Sequence, residues 1–253
     1  MQDSGYRIQD TGLRIQDSES ETGISLQDLR SRIVHPVSCI MHLFLFVIFY
    51  TVAAAEPDSL DAAVAGLQKR YASVENVMGD FRQTYRAPGI DQVESGVFRM
   101  KKPCLMRWEY RQPEEKLFIA DGRDAFLYVP QDRQVTVQPF SAADLRGTPL
   151  ELLLGLTDIK KDYRASWETG LKPKAEATLL IRLTPRKSEG EFESIILEID
   201  RNTYDLRRIV LRESGGNTSE FLLSNVSTNT RIENKEFKFK RPKGVELVRV
   251  DSE

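Results

Sequence analysis

Histidine and cysteine are scarce in this sequence, and most of them lie near its start. The 253 residues include two histidines, His35 and His42, and two cysteines, Cys39 and Cys104. Three of these four precede a predicted signal-peptide cleavage site at residue 55, so the processed chain would keep only Cys104. Catalytic triads that need histidine, cysteine–histidine pairs, histidine-containing metal sites and an intrachain disulfide are therefore excluded from it.

An excess of charge of either sign is also missing. The chain has 36 Lys and Arg against 38 Asp and Glu, and four of the basic and six of the acidic residues precede residue 56. The remaining 198 residues carry 32 of each and are formally neutral. Because nucleic-acid binding requires a concentrated basic surface, the composition argues against it.

Residues 1–40 are predicted not to belong to the folded protein. The tetrad R-I-Q-D at residues 7–10 recurs at 14–17, in polar surroundings with too few apolar residues to offset the entropy cost of ordering. Two interpretations stay open. The segment is either a disordered extension or sequence that is not translated, because synthesis starts at Met41.

An apolar segment follows. Cys39 to Ala55 is an uncharged, mostly apolar run of 17 residues, and it ends in three alanines that form an A-x-A cleavage site before Glu56. We predict a signal peptide over residues 41–55 and a single exported domain over residues 56–253. A retained membrane anchor is the alternative, since a spanning helix needs about 17 to 25 residues.

The exported part is predicted to be mainly β with α. One apolar stripe, with steps of three or four residues, indicates an N-terminal amphipathic helix that includes Leu60, Val64, Leu67, Tyr71 and Val74. Short alternating segments then continue to about residue 250 without a βαβ rhythm. They predict an antiparallel sheet of about 11 strands, curved into a barrel or half-barrel. The segment 236–240, in which phenylalanine and lysine alternate, is among these predicted strands.

The stretch from Gly96 to Pro113 carries most of the functional information. Its alternation predicts a hairpin in which charged residues occupy one face and large apolar residues the other, namely Phe98, Met100, Met106, Trp108 and Tyr110. Periodicity leaves two interpretations open. The apolar face is either the inner wall of an ordinary core or a lipid pocket, because methionine and aromatic side chains form adaptable apolar surfaces.

A second informative stretch begins at Thr148. The sequence T-P-L-E at 148–151 resembles a capping box with proline at the first helical position, and Gly155 is predicted to end the helix. Leu150, Leu153 and Leu154 share one face of it. A helix with almost no polar face is either buried in the core or lies over an apolar cavity as a lid.

Several ordered motifs resemble the signature of the outer-membrane lipoprotein carrier family (LolA). The similarity extends over roughly residues 58–250 and depends on the following residues: Phe81-x-Gln83, Gly96-x-Phe98, Lys102-Pro103, Arg107-Trp108-Glu109-Tyr110, Pro113, Asp121-Gly122, Tyr128-x-Pro130 and Gln134. The resemblance implies an incomplete, half-open β-barrel, covered by the N-terminal helix and a short lid helix over a hydrophobic cavity.

The resemblance also implies a function. A carrier of this family is a periplasmic chaperone that takes a triacylated lipoprotein from an inner-membrane, ATP-driven releasing complex. It shields the acyl chains and passes the lipoprotein to an outer-membrane acceptor lipoprotein. The expected protein is a monomer that is not an enzyme and uses no cofactor or metal.

The resemblance assigns roles to particular residues. Acyl chains would contact the five apolar residues of the hairpin together with Leu150, Leu153 and Leu154. Lys102, at the family's basic position before proline, would latch the lid when the cavity is empty. Many relatives have arginine there, and lysine lacks the planar fork of arginine. The alternative is that Lys101 and Lys102 only solvate the end of a strand.

Other functions stay open at this point. A carrier or sensor of another lipid or glycolipid would use the same fold. The outer-membrane acceptor itself would need a lipidated cysteine after the apolar run, whereas Cys39 precedes it. From a different class, a hydrolase that works with carboxylates alone is compatible with the composition, and Glu109 and Asp121 are its candidate residues.

Processing can be tested directly. We expect the mature N-terminus to be Glu56, in a soluble periplasmic fraction. Replacing Ala53 and Ala55 with leucine should block cleavage, because the site requires small residues at these two positions, whereas Ala54→Leu serves as a matched control that is still cleaved. Intact-mass measurement separates the outcomes. Wild-type protein recovered from membranes with the apolar segment attached would contradict the prediction.

Overall fold

A computed structural model describes residues 59–146, 148–187, 192–213 and 215–250 of the chain. The predictions made for residues 1–40 and for the signal peptide at 41–55 concern residues outside these ranges. The described residues belong to one compact unit of the chain. None of the helices in them is long and apolar enough to cross a membrane.

Helices form a small part of the described residues. They comprise α1 (Leu60–Ala72), α2 (Pro149–Leu153), α3 (Ile159–Asp162) and two 3-10 turns at Ala142–Leu145 and Asn234–Phe237. The hydroxyl of Ser59 caps α1 by accepting the Ala62 N–H at 3.1 Å. Val64, Leu67 and Tyr71 are buried on one face of α1, which confirms the predicted amphipathic helix.

Strands dominate the described residues. In chain order they are β1 (Asn76–Ala87), β2 (Ile90–Lys101), β3 (Leu105–Gln112), β4 (Lys116–Asp121), β5 (Asp124–Val129), β6 (Gln134–Pro139), β7 (Tyr163–Trp167), β8 (Thr178–Pro185), β9 (Phe192–Asp200), β10 (Leu206–Glu213), β11 (Thr218–Thr228) and β12 (Glu246–Arg249). They form one sheet in the order β12-β6-β5-β4-β3-β2-β1-β11-β10-β9-β8-β7. Because this order has two ends, the described strands form an open sheet, as the half-open class predicted.

Two details differ from the prediction. The sheet has twelve described strands instead of about 11, and β12 pairs with β6 in parallel, whereas the other described pairs are antiparallel. The physical reason is the path of the chain after β11. Residues 229–245, which we call the strap, cross the sheet surface and deliver β12 to the far edge in the same direction as β6.

The strand predicted at 236–240 is wrong. The strap contains a 3-10 turn at Asn234–Phe237, and no described strand covers 238–240. Phe237 is fully buried, and the ring of Phe239 stacks on Phe126 of β5 with centroids 5.2 Å apart. The alternation of phenylalanine and lysine therefore reflects a segment that packs across a sheet face, which burial alternation alone does not distinguish from a paired strand.

The main core lies between α1, α2 and the inner face of the sheet. Trp108 of β3 stacks on Phe98 at a centroid distance of 5.1 Å and meets Phe81 edge-on at 4.8 Å. Gly96 is required beside this cluster, because a Cβ there would lie 1.9 Å from the carbonyl oxygen of Glu109. The aromatic side chains of β1, β2 and β3 thus pack against one another on the inner face of the sheet.

Candidate functional site

The inner face of the sheet and α2 enclose an apolar cavity of about 310 Å³. Its wall consists almost entirely of apolar side chains from β3, β4, β9, β10, β11 and α2 with its N-cap residue: Trp108, Tyr110, Phe118, Thr148, Pro149, Leu150, Leu153, Phe192, Ile209, Leu211, Phe221 and Leu223. The volume lies at the lower end of the range of about 300–1,000 Å³ that is typical of ligand pockets.

The β2–β3 hairpin supplies one side of the cavity. Trp108 and Tyr110 lie at the cavity wall. Phe98, Met100 and Met106 share their face of the sheet but are fully buried in the core beside it. Contact between lipid and any of these five residues stays a prediction, and the structure distinguishes two wall residues from three supporting ones.

Helix α2 supplies the opposite side. It begins at Pro149 as predicted, and Leu150 and Leu153 face the cavity. Leu154 lies outside the wall and is fully buried in the core. Gly155 follows the helix with φ of 60°, a left-handed conformation that suits glycine and confirms the predicted helix end.

The predicted capping box of α2 is wrong. Thr148 is the N-cap residue, but its hydroxyl makes no capping hydrogen bond to the helix. It donates instead, at 2.7 Å, to the Leu145 carbonyl at the end of the preceding 3-10 turn, which also accepts the backbone N–H of Thr148 at 3.0 Å. The one hydroxyl of Thr148 at the wall is thereby satisfied, so the cavity has little to offer a polar ligand.

A second glycine contact joins α2 to α1. A Cβ on Gly155 would lie 2.1 Å from the carbonyl oxygen of Tyr71, in the last turn of α1. The Tyr71 hydroxyl also accepts the Leu206 N–H of β10 at 3.0 Å, and burial raises the pKa of Tyr71 to about 12. The C-terminal end of α1 therefore contacts both the residue that follows α2 and the sheet.

Lys102 lies at this same end of α1. Its ammonium group donates to the carbonyl oxygen of Ala72 at 3.1 Å, in an exposed position. A cation at a helix C-terminus satisfies a free carbonyl and interacts favourably with the helix dipole. The ammonium group of Lys102 therefore contacts the C-terminal end of α1, and the last turn of α1 contacts Gly155. The action of Lys102 as a latch stays a prediction.

An ion pair lies beside the wall residue Tyr110. Lys116 of β4 pairs with Glu94 of β2 at 2.5 Å, and its ammonium group lies 5.9 Å from the centre of the Tyr110 ring. The Tyr110 hydroxyl donates to Gln83 at 3.4 Å. Burial, and then the charge of Glu94, raise the pKa of Tyr110 to about 12, so the phenol stays protonated.

The carboxylates considered for hydrolysis lie in ion pairs. Burial alone would raise the pKa of Glu109, but a hydrogen bond from Arg107 at 2.6 Å and the charges of Arg107 and Arg99 outweigh it and hold that pKa below its usual value. For Asp121, burial is likewise outweighed, by backbone hydrogen bonds and by Lys238, and the pKa is lowered. A general acid needs a raised pKa, so neither group suits that role. Among the described residues, no cluster of three potential metal ligands occurs.

Comparison with models of known protein families shows which family this chain is related to. The family model for the outer membrane lipoprotein carrier protein LolA matches residues 72–240, which is more than half of the chain. This chain belongs to the LolA family. The match spans both walls of the cavity, from the last residue of α1 to the strap.

Named relatives agree with this assignment. An outer-membrane lipoprotein carrier protein of Nitrosospira multiformis is 29% identical over 208 residues, which cover 81% of this chain and 95% of the relative. A protein of the same name from Bordetella avium is 30% identical over 192 residues, covering 75% of this chain and 88% of the relative. This LolA-family chain therefore matches its relatives over nearly their whole length.

Solved structures show a weaker similarity. An uncharacterized conserved protein from Thermus thermophilus has a TM-score of 0.49 at 12% identity, covering 76% of this chain and 100% of that one. A LolA superfamily protein from Nitrosomonas europaea has a TM-score of 0.39 at 11% identity, covering 72% and 99%. The family assignment depends on the sequence comparisons.

Of the twelve described wall residues, the sequence predicted Trp108, Tyr110, Leu150 and Leu153 and missed the other eight. Ile209 and Leu211 of β10 and Phe221 and Leu223 of β11 alternate in the same way as the β3 residues, so their inward orientation was readable. No local pattern predicts that β11 pairs with β1. This pairing brings the β10–β11 hairpin to the same sheet as the β2–β3 hairpin. The wall of this LolA-family cavity is completed by contacts between residues more than 100 positions apart.

The contact of Lys102 with α1 leads to a prediction. Lys102→Met should speed amide hydrogen exchange in the last turn of α1 by about two- to fivefold, because it removes a cation that stabilises a helix C-terminus by roughly 0.3–1 kcal/mol. Hydrogen–deuterium exchange with mass spectrometry measures this. Lys101→Met is the matched control, since Lys101 donates to Ile232 and Asn234 of the strap and its loss should affect that segment. Unchanged exchange in α1 of the Lys102 variant would contradict the assignment.

Proposed function

We propose that this protein is a periplasmic chaperone that binds the acyl chains of lipoproteins released from the inner membrane and carries them to an outer-membrane acceptor. In this proposal, residues 56–253 form the exported carrier domain. The observation that supports it most is the apolar cavity between the sheet and α2. The names of the relatives support lipoproteins as the cargo.

The chemistry of the cavity wall fits this task. Each CH2 group removed from water contributes about 0.8 kcal/mol, so an acyl chain crosses an aqueous compartment only if it is shielded. A wall of aromatic and aliphatic side chains provides that shielding without directional bonds. Release stays possible because such contacts are replaced by similar ones in an acceptor.

Helix α2 fits the role of a displaceable lid. It is only five residues long, and Leu150 and Leu153 meet the cavity through apolar contacts. An incoming acyl chain would replace these contacts with others of similar size, so small free-energy differences would drive both loading and release. In the empty protein, Lys102 would support the closed state indirectly, through the end of α1 that contacts Gly155.

The proposed partners follow from the two ends of the transfer. Triacylated lipoproteins are the cargo, an ATP-driven inner-membrane releasing complex is the donor, and an outer-membrane lipoprotein is the acceptor. The carrier acts as a monomer and performs no catalysis. A carrier of another lipid or glycolipid is the second candidate, since an apolar wall accepts acyl chains from any source.

A competition experiment tests the proposed function. We expect the neutral dye N-phenyl-1-naphthylamine to bind purified protein with one-to-one stoichiometry and to be displaced by a triacylated lipopeptide. The deacylated peptide should not displace it, because the acyl chains are the recognised part. Equal displacement by both peptides would refute acyl-chain recognition, and stronger displacement by a glycolipid would favour the second candidate.

Trp108 provides a residue-level test of the same site. Trp108→Ala should weaken dye binding about tenfold, because it removes a large part of the aromatic wall. Trp167→Ala is the matched control, since Trp167 is the other tryptophan of the chain and lies exposed on β7. Loss of a buried tryptophan also costs about 3–5 kcal/mol of stability, so unfolding is measured on both variants. Equal dye affinity in the two folded variants would remove Trp108 from the site.

A further inference from the structure

The ion pair of Lys116 and Glu94 lies beside Tyr110, and its charges contribute nothing to the shielding of an acyl chain. Lys116 is opposite Tyr110 across the β3–β4 pair, and Glu94 is opposite Gln83 across the β1–β2 pair. Directly opposite residues of antiparallel strands point to the same face. The ion pair therefore lies on the inner face, the same face as the cavity wall.

The ion pair is partly removed from water. The side chain of Glu94 is 13% exposed and that of Lys116 is 25% exposed. Taking two charges out of water is costly, and a hydrophobic pair of similar volume is often as stable, so stability alone does not explain a pair at this place. Lys116 precedes the wall residue Phe118 by two positions on β4, which places the charges at the border of the apolar surface.

Each charged group has hydrogen-bonding capacity left for a ligand. An ammonium group has three N–H donors, and within the described residues the structure gives Lys116 one acceptor, Glu94. The carboxylate of Glu94 has acceptor sites beyond the one that Lys116 uses. Donor and acceptor thus lie side by side, next to the protonated hydroxyl of Tyr110 and the amide of Gln83.

We propose that Glu94 and Lys116 recognise the uncharged ester and amide groups where the acyl chains of a lipopeptide join its polar head. This inference rests on the proposed function, because it needs the acyl chains in the cavity. An ester carbonyl accepts from Lys116, and an amide N–H donates to Glu94. When the acyl chains lie in the cavity, the first polar groups of the ligand lie where the apolar wall ends. This is where Glu94 and Lys116 are located.

The same pair disfavours an anionic phospholipid. A phosphate group would gain the attraction of Lys116, but it would come equally close to the Glu94 carboxylate, and like charges at this range repel each other strongly in a partly dry site. A single lysine without Glu94 would favour phosphate. The paired arrangement therefore selects for a neutral junction and distinguishes lipopeptides from membrane phospholipids with the same acyl chains.

The test compares three ligands on the intact mature protein. They are a diacylated or triacylated lipopeptide, phosphatidylglycerol with acyl chains of the same length, and the neutral dye N-phenyl-1-naphthylamine. Wild-type protein should prefer the lipopeptide over phosphatidylglycerol. The double variant Glu94→Gln/Lys116→Met should lose about tenfold of this preference, as expected for one hydrogen bond to a charged group, and bind the dye as before.

Single variants and a matched control sharpen the test. Glu94→Gln alone should strengthen phosphatidylglycerol binding several-fold, because the repulsion is removed, and Lys116→Arg should retain the lipopeptide preference. The control is Asp121→Asn/Lys238→Met, which removes an ion pair of 3.1 Å whose carboxylate is similarly buried, away from the cavity wall. It should change the binding of neither ligand.

The outcomes separate this inference from the proposed function. If the wild-type protein fails to bind the dye or the lipopeptide, the proposed function fails. If both bind but the folded double variant keeps its full preference, the inference about Glu94 and Lys116 is wrong. An equal loss of dye and lipopeptide binding, or the same loss in the control, would also overturn it. Thermal unfolding confirms that each variant is folded, and Lys116→Arg with Glu94→Gln decides the case if the double variant does not fold.

Discussion

The structure depends on one constraint: the inner face of the open sheet presents more apolar surface than its short helices cover. Helix α1 buries Val64, Leu67 and Tyr71 against this face, and α2 adds only five residues. Between the sheet and α2, a cavity of about 310 Å³ remains, lined by aromatic and aliphatic side chains. Protein interiors are normally close-packed, so an apolar space of this size is a candidate site for a ligand.

The β2–β3 hairpin has a different role on each of its two faces. Trp108 and Tyr110 line the cavity, and Phe98, Met100 and Met106 pack in the core beside them. The residues between them point outward, where Arg107 and Arg99 converge on Glu109 and also hold Glu236 of the strap. One alternating stretch therefore contributes to the candidate site and anchors the strap, which covers the opposite face. This is why a single motif carries so much of the information about the fold.

Local patterns predicted the elements well where one physical rule acts alone. Spacing of apolar residues predicted α1, and Pro149 and Gly155 predicted the limits of α2. The rule failed where a tertiary contact competes. Thr148 bonds the preceding turn instead of capping α2, and Phe237 and Phe239 pack across the sheet instead of pairing in it.

The candidate site was only partly predictable for a related reason. Alternation shows which side chains point inward, but it does not show which of them border an empty space. Phe98 and Trp108 have the same pattern, although one is core and the other is wall. The contribution of β10 and β11, and the position of Lys116 beside Tyr110, arise from strand pairing between distant parts of the chain.

The central claim is that α2 is a lid that acyl chains displace. A photo-crosslinking amino acid at Leu153, on the cavity side of α2, measures this most directly. In the empty protein it should capture wall residues of β3, β10 or β11, and in protein loaded with triacylated lipopeptide it should capture the acyl chain. Capture of the same wall residues with the same yield in both states would show that α2 is fixed core packing and would contradict the account.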